Sequence, residues 1–571
     1  MKSINISDYI INRFIDEGVS DIFGVPGGVI LELLYAAERR RNDITPHLFF
    51  HEQDAIFAAA GFSQTKGTIG VAYATRGPGI TNMTTGIADA FYDSIPLIVI
   101  TAHSSVKKNS DMRIEADQEL DTISVFRSIT KYVIRIDKVE DFFNEFNRAC
   151  KIAVSGRKGP ILLDISTNLL TYTFHENSRI CHAEKQERMV QSNLNEIVDQ
   201  ITYYLSESMR PILLIGDGIH QAGVEQRLKS VAEKLKIPVL SSRGAQDVLA
   251  GSDLYYGFIG SHGIRYSNFI LSKCDLIIAL GNRMSFPLES VSYSTIFKKA
   301  VTIRIEVDKG ELNREIPNSI SFIADLKDVI PALERIDYKY ENALEWKNIC
   351  EQIKKQLDKI DTNLPVNRIA EILSAIKEET VIVSDVGNNE FWLSYAYVES
   401  SKRNRIIYSR SYGTLGNSLG KAIGAYYATR DVIMCFVGDQ GIQFCIQELQ
   451  YIAYNKIPIK IVIINNQSSG MIRSRQKQKY DSHFIHTTID SGYSAPDFQR
   501  IATAYKIRYH NITELNIETI SSFLNCQAEP DILELKIEDI IDLDLRIPVG
   551  YPCQMMLPAI DSNLYTELDN L

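Results

Sequence analysis

Residues 433–466 read IMCFVGDQGIQFCIQELQYIAYNKIPIKIVIINN, and they hold the decisive pattern. Two short apolar runs, Ile433–Val437 and Ile459–Ile464, are each long enough for a buried strand and too short for a helix. Between them lies a stretch with helical spacing of apolar residues, so the unit reads as strand, helix, strand, and the two strands must run parallel. Each strand stops at polar residues, the first at Gly438-Asp439-Gln440 and the second at Asn465-Asn466. Ligands of open parallel sheets gather at that carboxyl edge. An Asp and an Asn delivered there side by side offer hard oxygen donors, which suit Mg²⁺ sharing its shell with phosphate oxygens. The same residues would equally serve as a helix cap and a turn.

Working outward, the same grammar recurs. Toward the amino terminus, Ser20–Val25, Gly67–Thr75, Leu97–Thr101 and Ile161–Ile165 read as buried strands, with an amphipathic helix over Ile80–Phe91. A polar stretch from His175 to Ser192 interrupts it. A second series begins at Pro211–Gly216 and continues through Ile237–Leu240, Asp275–Gly281 and Val301–Val307. A charged helix over Asp337–Lys359 links it to a third series starting at Val381–Ser384. The chain of 571 residues is thus expected to form three α/β domains with doubly wound parallel sheets, at 1–180, 190–340 and 360–571.

Composition narrows the function classes. A net charge of −10 leaves no global basic surface for nucleic acid. No run approaches the length of a membrane span, and the first residues lack the apolar core of a signal peptide. Eight scattered cysteines without a CxxC pair fit reduced thiols, so a cytoplasmic location is expected.

Several segments together resemble the thiamine diphosphate (ThDP) enzymes, and acetohydroxyacid (acetolactate) synthases in particular. They are FGVPGG at Phe23–Gly28, HEQ at His51–Gln53, Gly77–Asn82, DSIPLIVIT at Asp93–Thr101, GRKGPILLDI at Gly156–Ile165, DVG at Asp385–Gly387, Gly438-Asp439 and NNQSSGM at Asn465–Met471. The resemblance spans nearly the whole chain. It implies an amino-terminal pyrimidine-binding domain, a central domain and a carboxyl-terminal diphosphate-binding domain. It implies Mg²⁺ held by Asp439, Asn466 and the carbonyl of Ser468. The diphosphate would lie against Gly387, Asn388, Asn389, Gly438, Gln440 and Gly441, with Gly470 and Met471 beside it. The family carries Gly where this chain has Gln440, so the backbone angle at that position decides whether the loop is strained.

The resemblance gives Glu52 the activating role, its carboxyl bonded to the cofactor's aminopyrimidine so that the C2 proton can be removed. Leu415, in the turn that starts at Gly413, matches the apolar wedge that bends the cofactor. Pro26, Gly28, Asn82 and Gln118 line the same place. Because the two halves of such a site come from different subunits, at least a homodimer is implied. Three positions depart from the synthase pattern around the acceptor: Asp117 replaces Phe, Thr167 replaces Lys and Arg475 replaces Trp. Arg473 or Arg475 would then bind an anionic acceptor, such as a carboxylate or a nucleotide sugar; as a solvated basic face they would do nothing. The family's central domain carries FAD. Gly216-Asp217-Gly218, Gly260–Gly263, Gly281-Asn282-Arg283 and Glu306–Asp308 fall at matching turns, while Met284–Pro287 replaces the charged residues expected there.

The resulting expectation is a ThDP- and Mg²⁺-dependent carboligase that decarboxylates pyruvate or a related 2-oxo acid and passes the acyl carbanion to a second carbonyl. Alternatives are a decarboxylase that releases aldehyde and a catalytically silent ThDP-binding scaffold. A dehydrogenase lacks a GxGxxG after a strand. The acceptor, FAD and any regulatory subunit stay open.

Overall fold

The computed structural model describes residues 3–104, 116–175, 192–285, 299–338, 340–358, 363–400, 404–513, 516–525, 528–537 and 541–571. It contains three six-stranded sheets, all of whose strand pairs are parallel. The first runs Thr45–Leu48, Asp21–Gly24, Gly70–Tyr73, Leu97–His103, Ile161–Ser166, Tyr132–Ile136. The second runs Tyr255–Phe258, Val239–Ser241, Pro211–Ile215, Leu276–Leu280, Val301–Glu306, Ser319–Ile323. The third runs Ile406–Ile407, Val381–Ser384, Ile433–Gly438, Ile459–Asn465, Asp531–Lys536, Arg508–Ile512.

Numbered within each sheet, the first and third share the order 2-1-3-4-6-5, whereas the middle one is 3-2-1-4-5-6. In each sheet the direction of winding reverses beside the first strand, leaving a crevice at the carboxyl edge. All three reversals coincide with the glycine-rich turns singled out above. The first falls between Asp21–Gly24 and Gly70–Tyr73, the second between Pro211–Ile215 and Leu276–Leu280, the third between Val381–Ser384 and Ile433–Gly438.

The strands named from sequence are present with edges moved by a few residues. The helix expected over Ile80–Phe91 is two, Pro78–Asn82 and Thr84–Tyr92. The charged linker helix is shorter than expected, Ala343–Leu357, and buries Trp346, Cys350 and Ile353 against the central sheet's helices. The polar stretch 176–191 lies outside the described residues, as do Phe286 and Pro287. Seven strands of the three sheets are not legible in the sequence, among them Asp531–Lys536, whose apolar run Asp531 and Glu534 interrupt. Both are buried, Asp531 paired with Lys460 and Arg508 and Glu534 bonded to Asn465.

The first and third sheets meet through two helices, Glu52–Lys66 and Ser418–Thr429. Small residues let the backbones touch: a Cβ on Gly424 would lie 1.9 Å from the Ala58 carbonyl, and one on Gly61 2.1 Å from that of Lys421. Their apolar faces form one continuous core with the inner faces of both sheets. Cys150, Cys274, Cys350, Cys435, Cys445 and Cys553 are buried free thiols; Cys181 and Cys526 lie outside the described residues. Among the described residues, no helix is long and apolar enough to cross a membrane.

Candidate active site

The crevice of the third sheet is a cleft of about 190 Å³. Gly387, Asn388 and Asn389 line it from the turn after the first strand, and Gly438, Asp439, Gln440 and Gly441 from the turn after the third. Asn466, Ser468, Gly470 and Met471 enter after the fourth strand, and Leu415 closes one side. Every residue expected from the sequence on this half of the site is there except Gly413, which shapes the turn before Leu415 with a φ of +70°. Gln440 has φ −81° and ψ −44°, an ordinary right-handed conformation, so the family's glycine is not needed there.

The polar inventory of the cleft is unbalanced in an informative way. Asp439 is 3% exposed; one carboxylate oxygen accepts the Gln440 amide at 3.1 Å, and Oδ2 makes no hydrogen bond of normal geometry, although the buried Tyr493 hydroxyl faces the carboxyl. Burial pushes its carboxyl up to about 7. Asn388 is buried with neither its oxygen nor its nitrogen bonded. Leaving such atoms unpaired costs about 1–3 kcal/mol each, more for a charge. An anion oxygen requiring cations and an amide requiring an acceptor, in one cleft, fit a metal ion carried with a phosphate group. Among the described residues no cluster of three or more His, Cys, Asp or Glu side chains can hold a metal by itself.

Asp385 was passed over in the sequence beyond its place in the DVG turn, yet it organises this half of the site. Fully buried, it accepts the amides of Val386 and Gly416 at 2.9 Å and of Ser418 at 3.1 Å. Leu415 therefore sits on a loop held by Asp385 on its carboxyl-terminal side, half-buried and lining the cleft.

The crevice of the first sheet holds the other expected residues. Glu52 is the first residue of its helix, 9% exposed, and its Oε2 accepts a hydrogen bond from Asn82 at 2.9 Å. Oε1 faces Gly79, whose missing Cβ would lie 3.3 Å away. Pro26 and Gly28, at the end of the first strand, are exposed at the same edge. Gln118 is exposed with φ +56°, its backbone laid against Gly77. None of Pro26, Gly28, Glu52, Asn82 and Gln118 lines the cleft around Asp439. One chain thus holds the expected residues in two separate crevices.

Two expectations need correction. Arg473 does not face the cleft: it is 3% exposed, donating to Asp542 at 2.9 and 3.1 Å and to the Ile541 carbonyl at 3.2 Å. Its helix, Gly470–Lys479, turns it toward the carboxyl-terminal segment, where Asp542 also takes Ser474 and Lys477. Arg475 is exposed and lines no part of the cleft. The turn Gly260–Gly263, expected beside a nucleotide, lines no part of the central cavity either; the His262 carbonyl accepts the Tyr395 hydroxyl instead.

That central cavity, about 640 Å³, lies between the first and middle sheets at the winding reversal. Gly216-Asp217-Gly218, Gly281-Asn282-Arg283 and Glu306 line it, with Arg157, Lys158, Arg243 and Arg410 opposite. Arg157 pairs with Asp308 at 2.6 Å and Glu306 at 3.0 Å, and Arg410 pairs with Asp217. Among the described residues Lys158 has no hydrogen-bond or ion-pair partner, and burial lowers its pKa. Volume and residual positive charge fit a nucleotide diphosphate.

Comparison with known proteins bears on all three sheets. Residues 4–125 match the family described as thiamine pyrophosphate enzyme, N-terminal TPP binding domain; 198–333 match its central domain and 385–525 its C-terminal TPP binding domain. The chain is 32% identical to an acetolactate synthase large subunit of Lactococcus lactis subsp. lactis (strain IL1403), over 100% of this chain and 99% of that one. It is 28% identical to the acetolactate synthase isozyme 2 large subunit of Escherichia coli (strain K12), over 98% and 100%. Identity to the isozyme 1 large subunit of the same strain is 30%, over 85% and 86%.

Proposed function

The chain belongs to the thiamine pyrophosphate (ThDP) enzymes of acetolactate synthase type and is a ThDP-dependent decarboxylating carboligase; from that premise we propose how its own residues divide the work. When bound, ThDP supplies an acidic carbon and an electron sink for the carbanion left by decarboxylation of a 2-oxo acid. Asp439, the Asn466 side chain and the Ser468 carbonyl would hold Mg²⁺, and Asn388 with the Gln440–Gly441 turn would take the diphosphate. The Oδ2 of buried Asp439, without a hydrogen bond of normal geometry, beside the unbonded Asn388 amide is the observation that carries this reading.

Glu52 holds the activating proton on Oε1, while Asn82 fixes Oε2. Leu415 closes one side of the cleft and would press against ThDP there, holding it in the conformation the reaction needs. Since one chain separates Glu52 from Asp439, two copies complete each other's sites, Glu52, Asn82, Gln118, Pro26 and Gly28 coming from one and the Asp439 cleft from the other. Exposed Leu48 and Phe50 beside Glu52 supply apolar surface for that contact.

Pyruvate is the donor, acetolactate the default product. Arg475 stands in the Trp position outside the cleft of one chain; if the acceptor reaches it at the completed site, its charge favours an anionic acceptor, a keto sugar derivative being the variant product. The central cavity takes FAD, with Lys158 facing its phosphates; a yellow protein with flavin absorbance is the expected result, and a colourless one removes FAD. Buried free thiols support a cytoplasmic location.

The test is incubation with pyruvate, ThDP, Mg²⁺ and candidate acceptors, with products identified by mass. Acetaldehyde as sole product would replace ligation by simple decarboxylation. Arg475→Ala should raise the acceptor KM and leave ThDP binding unchanged; an unchanged acceptor KM removes Arg475 from the acceptor site.

A further inference from the structure

Two fully buried charges, Asp89 and Lys421, face each other across the boundary between the first and third sheets at 2.9 Å. Asp89 lies on the helix Thr84–Tyr92 of the first domain and Lys421 on the helix Ser418–Thr429 of the third. Removing both charges from water is costly, and apolar residues of similar volume would pack there with equal or greater stability. What an apolar pair lacks is direction, and the bonds around Asp89 have a definite target.

The second oxygen of Asp89 accepts Thr414 Oγ1 at 3.1 Å and the Ser409 hydroxyl. Ser409 Oγ in turn accepts the Thr414 amide at 2.8 Å, and Asn417 donates to the Thr414 carbonyl at 2.6 Å. Four residues on, Asp93 takes the amides of Arg410 and Ser411, both at 2.8 Å. Thr414 immediately precedes Leu415, and Asp385 holds Gly416 and Ser418 on the other side. The seat of Leu415 is therefore clamped from behind by the neighbouring domain, and Lys421 supplies the opposite charge beside Asp89. The Lys421 carbonyl also touches Gly61 on the helix that begins with Glu52, and Gly420 meets the Asp54 carbonyl on the same helix.

We propose that Asp89 and Lys421 are positioning residues for the carboligase reaction: their buried pair seats Leu415 and, through the Lys421 helix, fixes the register of the helix that starts at Glu52. Given the reading above, in which Leu415 and Glu52 of one chain serve different sites, a single contact sets one chain's contributions to both.

The test uses full-length protein with Lys421→Met, with Thr414→Val, which removes one bond to Asp89 without unpairing a charge, and with the neutral double variant Asp89→Asn/Lys421→Met. Backbone amide exchange is followed by mass spectrometry in cofactor-free protein, and kcat and pyruvate KM in loaded protein. In Lys421→Met, exchange over residues 409–418 should rise by about tenfold or more while the strand Pro211–Ile215 stays as in the parent. The kcat should fall by about tenfold or more, with pyruvate KM changed less than about twofold. Thr414→Val should move both readouts the same way by less. The double variant should recover the melting temperature but neither the protection nor kcat. A folded Thr414→Val or double variant with parental exchange and parental kcat overturns the proposal, even where Lys421→Met does not fold. The exchange readout needs no cofactor, so that outcome leaves the functional reading intact. A parent chain that takes up no ThDP with Mg²⁺ overturns the reading of Leu415 and this inference with it.

Discussion

Replacing Gly470 by Ala separates stability from cofactor binding. Gly470 opens the helix Gly470–Lys479 and is absent from the left-handed glycines, so its backbone suits an L residue. An added Cβ would lie 2.6 Å from the Asn388 amide nitrogen and 2.9 Å from that of Asn466. Against an ordinary contact of about 3.5 Å, the two amides must retreat by roughly 0.6–0.9 Å. Without cofactor that retreat is cheap, because the Asn388 amide bonds to nothing in the protein. A gain of up to about 1 kcal/mol in helix propensity offsets it, and the cofactor-free protein should unfold within about 1 kcal/mol of the parent. With cofactor the same displacement moves one residue assigned to the diphosphate and one assigned to Mg²⁺. Mg²⁺ holds oxygens near 2.0–2.1 Å in nearly ideal octahedral geometry and does not absorb shifts of that size. The expected loss is about 30- to 100-fold in ThDP affinity, roughly 2–3 kcal/mol. Calorimetric titration with ThDP at saturating Mg²⁺, beside melting of the cofactor-free protein, reads both quantities. A Kd within about threefold of the parent's would show that Asn388 and Asn466 do not touch the ligand, and the assignment of the cleft would fall.

Glu52→Gln should leave stability within about 0.5 kcal/mol, since the amide oxygen can still accept from Asn82, while pyruvate consumption drops by about 100-fold or more; parental turnover would remove Glu52 from the chemistry. Dialysis against a chelator should strip ThDP along with the metal and lower the melting temperature to the cofactor-free value; retained ThDP would refute the metal-bridged site. Glu448 is fully buried with Oε2 unpartnered, and burial pushes its carboxyl up to about 8. Its folded pKa lies above its unfolded one, so the stability it contributes is complete below about pH 4.5 and is lost as pH rises through about 8, by at most about 5 kcal/mol. Glu448→Gln should flatten the fall in unfolding free energy between pH 5.5 and 8, measured by denaturant titration; an unchanged fall would place the titration elsewhere.

The half of the site built on strand ends could be read directly. Asp439 and Asn466 follow apolar runs whose continuity marks buried parallel strands, and the carboxyl edge of such strands is fixed by chain direction alone. Glu52 came instead from the resemblance carried by the motifs around it, since a Glu after a strand is by itself more often a surface carboxylate. The strand logic failed at Asp531–Lys536, where burial depends on partners supplied by Lys460, Arg508 and Asn465. It failed again at Arg473, because a basic residue on a polar helix gives no sign that Asp542, far along the chain, will claim it.

By itself the sequence determined the three parallel α/β units, the turns at their carboxyl edges and the donor types gathered there, because strand periodicity and turn chemistry are local and survive in one dimension. Only the tertiary structure decided that Glu52 and Asp439 lie in separate crevices, that Asp385 and Asp89 grip the Leu415 loop from two sides, and that Arg473 is spent on an ion pair. These outcomes depend on which charged groups meet after distant segments pack, and electrostatic partners carry no fixed spacing along a chain.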